Sequence, residues 1–162
     1  MFDKLVDDFC NIIFGLINYY LSKNINPDLT LNDIKELSSD SLDDLITNGI
    51  KGLIIDLDET LRFDKKDIPE VNKEWLQMAK NKLKIIVMSN GYSENIEKYL
   101  KKIGINYIGL AYKPLKPSFK KALHDLNLKP DEVFMIGDDY FSDIYGGNRN
   151  KLRTVLINKK IK

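Results

Sequence analysis

Uncharged apolar runs alternate with amphipathic segments along most of the chain after residue 51. The runs that predict buried strands lie at residues 52–57, 84–88, 107–110, 132–136 and 154–157. Segments with helical spacing of apolar residues lie between them, at residues 69–81, 93–103, 117–126 and 140–151. Because strand and helix alternate, we expect βαβ units with right-handed crossovers. The pattern therefore predicts an α/β fold with about five parallel strands and helices on both faces of the sheet.

The first 30 residues depart from this alternation and predict a helical extension before a domain that spans residues 31–162. The apolar stretch within residues 1–21 is broken by Asn11, Gly15 and Asn18, so it is too short and too polar to cross a bilayer, which takes about 20 mostly apolar residues. This helix could pack on the domain, pair with a second copy in a homodimer, or lie on a membrane surface. Its polar face is acidic, with Asp3, Asp7 and Asp8, which favours packing or dimerisation over membrane contact.

Two short helices are predicted between the extension and the first strand. They lie at residues 31–37 and 42–46, after a turn-rich joint at residues 24–28. Ser41 directly precedes the second helix, so we expect it to be the N-cap.

Composition narrows the classes of function. The 25 basic and 24 acidic residues nearly cancel, so no overall positive field attracts nucleic acid and no nucleic-acid partner is expected. The single cysteine, Cys10, excludes an intramolecular disulfide and a cysteine-based zinc site, and it is compatible with a cytoplasmic location. The one histidine, His124, lies in a predicted helix, where a surface role is favoured over catalysis.

The most informative stretch is the apolar run that begins at Gly52 and ends in Asp56 and Asp58. A buried strand that ends this way delivers two carboxylates to the edge of the sheet where open α/β folds carry their chemistry. Paired acids there can hold a divalent cation, and one can attack phosphorus while the other moves a proton. A simple acidic turn is the alternative, and the motifs downstream decide between the two.

Two further strand ends carry polar groups suited to a phosphoryl group. Ser89 and Asn90 follow the second strand, where a hydroxyl and backbone N–H groups can bind phosphoryl oxygens. Lys113 follows the third strand and could pair with a nucleophilic carboxylate. Lys116 is three residues away, and spacing alone leaves both lysines open.

The fourth strand runs into Gly137, Asp138 and, five residues later, Asp143. Gly137 is expected to permit a tight turn, and Asp138 is placed to bind magnesium. Asp143 could be a ligand, could support one from behind, or could cap a helix.

These four motifs, in this order, resemble the haloacid dehalogenase (HAD) superfamily of aspartate-nucleophile phosphotransferases. The resemblance rests on Asp56-x-Asp58-x-Thr60, on Ser89, on Lys113 and on Gly137-Asp138-x-x-x-Ser142-Asp143. Residues 49–52, 111–115 and 143–148 further resemble the YqeG family of HAD class IIIA phosphatases, which is similar to the mitochondrial phosphatidylglycerophosphatases. Glu59 stands where that family more often has Asn, and Asp139 where Gln is common.

The resemblance implies a role for each motif residue. Asp56 is the nucleophile, Asp58 the general acid and base, and Ser89 and Lys113 complete the catalytic group. The resemblance also favours Lys113 over Lys116. The implied substrate contacts are Thr60, Ser89, Asn90 and Lys113. Mg²⁺ is the implied cofactor, with Asp56, Asp58 (through its backbone carbonyl), Asp138 and Asp143 as the candidate ligands.

The resemblance also suggests a substrate. No segment long enough for a cap domain follows the first or second motif, which leaves the site open to a bulky substrate. We therefore expect Mg²⁺-dependent dephosphorylation of phosphatidylglycerophosphate at a membrane surface. A soluble phosphatase acting on phosphoprotein, nucleic-acid ends, nucleotides or sugar phosphates is the enzymatic alternative, and a non-catalytic binding module is a third.

Overall fold

The computed structural model describes the backbone of residues 2–158 and the side chains of residue 4 and residues 6–158. Its helices are α1 (Phe2–Asn24), α2 (Ser39–Thr47), α3 (Glu70–Lys80), α4 (Glu94–Lys102), α5 (Lys116–Leu126) and α6 (Gly146–Arg149). Its strands are β1 (Leu29–Leu31), β2 (Gly52–Asp56), β3 (Lys84–Met88), β4 (Asn106–Ile108), β5 (Val133–Gly137) and β6 (Arg153–Ile157). Short 3₁₀ helices lie at Ile34–Glu36 and Pro130–Glu132, and a π-helix spans Tyr140–Tyr145.

The strands form one parallel sheet in the order β1-β6-β5-β2-β3-β4. The chain first builds outward from β2 through β3 to β4, and then returns through α5 to place β5 on the other side of β2. The order therefore reverses between β2 and β5. Crevices for ligands form at the carboxyl ends of the strands at such a reversal, so the fold directs attention to the ends of β2 and β5.

The core lies on both faces of this sheet because alternate residues of a strand point to opposite sides. In β2, Leu53 and Ile55 pack in the cluster that includes Trp75 and Leu76 of α3. Ile54 packs on the other face in a cluster with Phe119 of α5. Burial on both faces explains why the strands read as unbroken apolar runs in the sequence.

The predicted α/β fold is confirmed, with a sixth strand that the sequence pattern did not indicate. The missed strand, β1, has only three residues and pairs with β6 at the sheet edge, so it leaves no long apolar run. A strand and a 3₁₀ helix, Ile34–Glu36, therefore replace the helix predicted at residues 31–37. The next helix also begins earlier than predicted: Ser38, not Ser41, caps α2 by accepting a hydrogen bond from the Ser41 backbone N–H.

The helix predicted at residues 140–151 is also divided in the structure. The chain first makes the π-helix Tyr140–Tyr145 and then the short helix α6. π-Helical turns of this kind are frequent at functional sites. The predicted boundary of the extension at residue 30 stays a prediction, and the domain end at residue 162 lies outside the described residues.

Helix α1 packs on the π-helix. The Asn18 side-chain oxygen accepts a hydrogen bond from the Phe141 backbone N–H at 3.0 Å, and the Phe14 and Phe141 rings lie 6.0 Å apart. Most other apolar side chains of α1 are exposed. None of the helices described between residues 2 and 158 combines the length and hydropathy that a bilayer crossing requires.

Candidate active site

Three carboxylates converge where the sheet order reverses. Asp56 ends β2 and is 7% exposed, Asp138 follows β5, and Asp143 lies buried in the π-helix. One oxygen from each of the three lies within 4.8 Å of the others. Carboxylate oxygens at this spacing are suited to a divalent cation such as Mg²⁺. The cluster could therefore hold a metal ion, as predicted from the strand-end motifs.

Lys113 ties two of these carboxylates together. Its Nζ donates to Asp56 Oδ1 and to Asp143 Oδ1, each at 2.6 Å, and its side chain is only 1% exposed. Lys116, the competing candidate, is exposed at the start of α5. The structure thus places Lys113, rather than Lys116, against the carboxylate at the end of β2.

Burial and charge shift the pKa values of this cluster. Burial raises the pKa of Asp56, and the charges of Asp138 and Asp58 act in the same direction, although Lys113 opposes them. Burial, reinforced by Asp56, raises the pKa of Asp143 to about 7 against the opposing effect of Lys113. Burial alone would lower the pKa of Lys113, but Asp143 and Asp56 outweigh it and raise that pKa. The lysine is therefore charged at neutral pH, and the crowded carboxylates favour binding of a cation.

Asn90 holds the backbone of Lys113. The Asn90 side-chain oxygen accepts from the Lys113 backbone N–H at 2.6 Å, and its amide nitrogen donates to the Lys113 carbonyl at 3.2 Å. Asn90 was predicted to contact substrate. In the structure its side chain joins the loop after β3 to the loop after β4, so we assign it the positioning of Lys113, and the predicted substrate contact stays a prediction.

Asp58 lies at the solvent side of the cluster, with a side chain that is 36% exposed. Ser89 Oγ donates to Asp58 Oδ2 at 3.2 Å, and Arg62 Nε donates to Asp58 Oδ1 at 2.9 Å. The Ser89 hydroxyl also accepts from the Gly91 backbone N–H at 3.0 Å. A carboxylate fixed in this way, yet open to solvent, can exchange a proton with a leaving group or a water molecule.

Arg62 is the residue of this group that sequence reasoning missed. It is 8% exposed, and a turn closed by hydrogen bonds from the Arg62 N–H to the Leu57 carbonyl and from the Glu59 N–H to the Arg62 carbonyl brings it back to Asp58. The sequence does place Arg62 four residues after Asp58, but this spacing predicts an ion pair only if the chain turns between the two residues.

The same turn holds Glu59 in a left-handed backbone conformation. Glu59 has a φ of +61°, and among non-glycine residues Asn adopts this left-handed conformation more readily than Glu does. Thr60 follows in the turn and is 1% exposed, and its hydroxyl has no hydrogen-bond partner among the described residues. The predicted substrate contact of Thr60 stays a prediction.

A glycine is required at position 137 because the Asp143 side chain approaches its backbone closely, and not because of the tight turn that we expected. The backbone φ of Gly137 is not positive. A Cβ atom at this position, however, would lie 2.1 Å from Asp143 Oδ2. Asp143 Oδ2 also accepts from the Asp139 backbone N–H at 3.1 Å. The absence of a side chain at Gly137 therefore lets Asp143 pack against the end of β5.

Asp139 caps the π-helix. Its Oδ1 accepts from the Ser142 backbone N–H at 2.6 Å and from the Ser142 hydroxyl at 2.8 Å, which caps the π-helix. The cap stabilises the turn that carries Asp143.

Comparison with known proteins places this geometry in a family. The chain is 30% identical over 139 residues to the probable phosphatase YqeG of Bacillus subtilis (strain 168), covering 85% of this chain and 79% of that protein. The chain belongs to the YqeG family of HAD phosphatases. A HAD-hydrolase-like family description also matches residues 111–161. This HAD phosphatase is therefore a phosphoric monoester hydrolase.

Solved structures show that the fold of this HAD phosphatase is shared. A protein from Listeria monocytogenes serotype 4b superposes with a TM-score of 0.54 at 26% identity, covering 67% of this chain and 79% of that one. A HAD family enzyme from Bacteroides thetaiotaomicron, solved with magnesium and inorganic phosphate, has a TM-score of 0.57 at 16% identity, covering 70% of this chain and 97% of that one. No cap domain interrupts the described chain of the HAD phosphatase after β2 or β3.

Proposed function

We propose that this HAD phosphatase is a Mg²⁺-dependent phosphomonoesterase that forms an aspartyl-phosphate and converts phosphatidylglycerophosphate to phosphatidylglycerol. The observation that carries the chemistry is the placement of Lys113 on Asp56, with Asp58 held separately by Ser89 and Arg62. One carboxylate is thus set beside a phosphate-binding cation and the other is set for proton transfer. The substrate rests on the resemblance to phosphatidylglycerophosphatases and on the surface around the site.

The residues present fit a magnesium ion. Asp56, Asp138 and Asp143 offer hard oxygen ligands at a compatible spacing, and the backbone carbonyl of Asp58 is the further ligand we propose. When bound, Mg²⁺ would neutralise the charge that develops on the transferring phosphoryl group. Asp143 also orients Lys113, so its carboxylate is expected to serve both the cation site and the lysine.

The chain's own residues supply the two chemical steps. A carboxylate oxygen of Asp56 forms a bond to phosphorus as the bond from phosphorus to the ester oxygen breaks, and Asp58 gives its proton to the leaving alkoxide. Asp58 then removes a proton from a water molecule, which attacks the aspartyl-phosphate, releases inorganic phosphate and restores Asp56. Lys113 donates a hydrogen bond to a phosphoryl oxygen, and when substrate binds the Ser89 hydroxyl turns from Asp58 Oδ2 to donate to another phosphoryl oxygen. Loss of Lys113 is expected to cost about 2–4 kcal/mol of transition-state stabilisation.

The surroundings of the site support a substrate at a membrane surface. The loops beside Lys113 expose apolar and aromatic side chains, which we call the apolar rim: Tyr92, Leu110, Tyr112 and Leu115, each more than half exposed. Without a cap over it, the site lies open beside this rim. Aromatic and aliphatic side chains favour the interfacial region of a bilayer. The proposed location of the enzyme is therefore peripheral, with the rim against lipid.

The proposal is tested by Mg²⁺-dependent phosphate release from phosphatidylglycerophosphate in mixed micelles and from a panel of soluble phosphomonoesters. We expect turnover of the lipid that depends on Mg²⁺ and is lost in Asp56→Asn. Tyr112→Ser with Leu115→Ser should reduce lipid turnover, whereas Val71→Ser, an exposed apolar residue of α3 outside the rim, should not. Activity confined to soluble esters would contradict the lipid substrate, and no activity on any ester would contradict the chemistry as well.

A further inference from the structure

A cavity of about 530 Å³ opens beside the catalytic lysine. Lys113 lines it together with mostly apolar groups from the loop after β4 and from the π-helix, namely Tyr112, Pro114, Leu115, Phe141 and Tyr145. Phosphorus must lie near Asp56, whose Oδ1 is 2.6 Å from Lys113 Nζ. Lys113, which lines the cavity and contacts Asp56, thus connects the cavity with the reacting centre. No step described so far uses the cavity.

Arg149 is the second cation of this cavity. It is the last residue of α6, it is exposed, and its guanidinium carbon lies 5.7 Å from the centre of the Tyr145 ring. The Tyr145 ring stacks on Phe141, with centroids 6.0 Å apart and an interplanar angle of 5°. The guanidinium of Arg149 thus lies at the cavity wall, against a ring that is itself held by stacking. Among the side chains that the structure describes, Arg149 forms no salt bridge, unlike Arg62, Lys113 and Arg153.

A guanidinium at this position is well suited to an anionic group. Its planar donors match the two oxygens of a carboxylate or of a phosphate ester. Lys113 is occupied by the carboxylates and the phosphoryl group, so it cannot also serve a second anion of the substrate. The apolar walls between the two cations would accommodate carbon rather than further charge.

We propose that this cavity binds the leaving group of the substrate and that Arg149 binds a second anionic group on it, a phosphodiester or a carboxylate. This inference rests on the proposed phosphatase function and adds the class of leaving group that the site selects. A phospholipid would present the phosphodiester between its glycerol units, whereas a soluble ester would present a carboxylate or a second phosphate. Arg149 is thus a specificity residue and takes no part in the chemical steps.

The test compares substrates that differ by one anionic group. Phenyl phosphate and 4-carboxyphenyl phosphate form a soluble pair, and phosphatidylglycerophosphate in mixed micelles carries the phosphodiester. Arg149→Ala should lower kcat/KM at least about tenfold for substrates with the second anion and leave phenyl phosphate within about twofold, because a lost charge-assisted hydrogen bond is worth about this factor. Arg149→Lys should recover part of the loss, since it keeps the charge but not the paired geometry.

Lys120→Ala is the matched control, because it removes one exposed positive charge on α5 away from the cavity lining. It should leave all three substrates unchanged. A selective loss on the lipid alone would identify the phosphodiester as the anion, and a selective loss on the soluble carboxylate alone would identify a soluble substrate.

An equal loss on all substrates, or no loss on any, would overturn the role of Arg149 while wild-type turnover still supported the phosphatase. An inactive wild-type enzyme would instead overturn the proposed function, and with it this inference.

Discussion

At the scale of single residues, the two carboxylates of the first motif, Asp56 and Asp58, have different partners. Asp56 is buried against Lys113, whereas Asp58 is more exposed and is held by Ser89 and Arg62. A nucleophile benefits from a fixed position beside a cation, and a proton-transfer group benefits from access to the leaving group and to water. The difference in environment thus matches the two roles.

Replacement of Arg62 tests the positioning of Asp58. Arg62→Met removes the donor at 2.9 Å from Asp58 Oδ1, so the carboxyl group is less well aimed at the leaving oxygen. We expect kcat to fall about tenfold for an alkyl phosphate, whose leaving group needs a proton, and about twofold for p-nitrophenyl phosphate, whose leaving group does not. The measurement is kcat for both esters.

Arg153→Met is the control for this prediction, because Arg153 lies on β6 and pairs with Asp28 instead of a site residue. An equal loss on both esters in Arg62→Met would show that Arg62 supports the fold and does not position Asp58.

At the scale of secondary-structure elements, the π-helix Tyr140–Tyr145 joins three parts of the molecule. It carries Asp143 into the carboxylate cluster, it provides Phe141 and Tyr145 to the cavity, and it receives α1 through Phe14 and Asn18. Its N-terminal cap, Asp139, is therefore a structural support of the site.

Removal of this cap should affect stability and magnesium activation together. Asp139→Ala deletes the acceptor of the Ser142 N–H and hydroxyl, and the loss of an N-cap costs about 1 kcal/mol. We expect the free energy of unfolding in urea to fall by about that amount. The Mg²⁺ concentration for half-maximal activity should rise, because Asp143 is held less firmly.

Asp44→Ala, which removes an exposed carboxylate from α2, should change neither quantity appreciably. If Asp139→Ala lowered stability while the magnesium requirement stayed constant, the proposed link between the cap and Asp143 would be wrong.

At the scale of the whole molecule, α1 uses one side for the domain and leaves another side exposed. Phe14, Asn18 and the buried Leu21 face the domain. The exposed side carries apolar residues at alternating intervals of three and four, the spacing of a helix that pairs with another helix: Val6, Phe9, Ile13, Leu16 and Tyr20. We call this set the α1 stripe. A second copy of the chain, paired through the α1 stripe, is the partner we expect.

Sedimentation equilibrium tests this pairing. The wild-type protein should have the mass of a dimer, because the α1 stripe loses its contact with water when two copies associate. Leu16→Glu places a charge within the stripe and should give a monomer. Asn11→Glu adds the same charge on an exposed position outside the stripe and should stay dimeric. A monomeric wild type, or a dimer that survives Leu16→Glu, would exclude this use of α1.

The sequence by itself determined the α/β architecture and the strand ends that carry chemistry, because a strand buried on both faces must be an unbroken apolar run and polar residues become possible only where it stops. The strand ends indicate Asp56, Asp58, Ser89 and Asp138 in this way, whereas the choice of Lys113 over Lys116 comes from the family resemblance. The edge strand β1 was missed because it has only three residues, two of them exposed, and so leaves no such run.

Only the tertiary structure decided which neighbours each of these residues has. The contact between Lys113 and Asp56 joins residues 57 positions apart, and the pairing of Asn90 with Lys113 joins residues 23 apart. The need for Gly137 arises from the Asp143 side chain, and the cavity with Arg149 forms only when α6 and the loop after β4 come together. Contacts of this kind depend on how the strands are ordered in the sheet, and periodicity within a segment carries no information about that order.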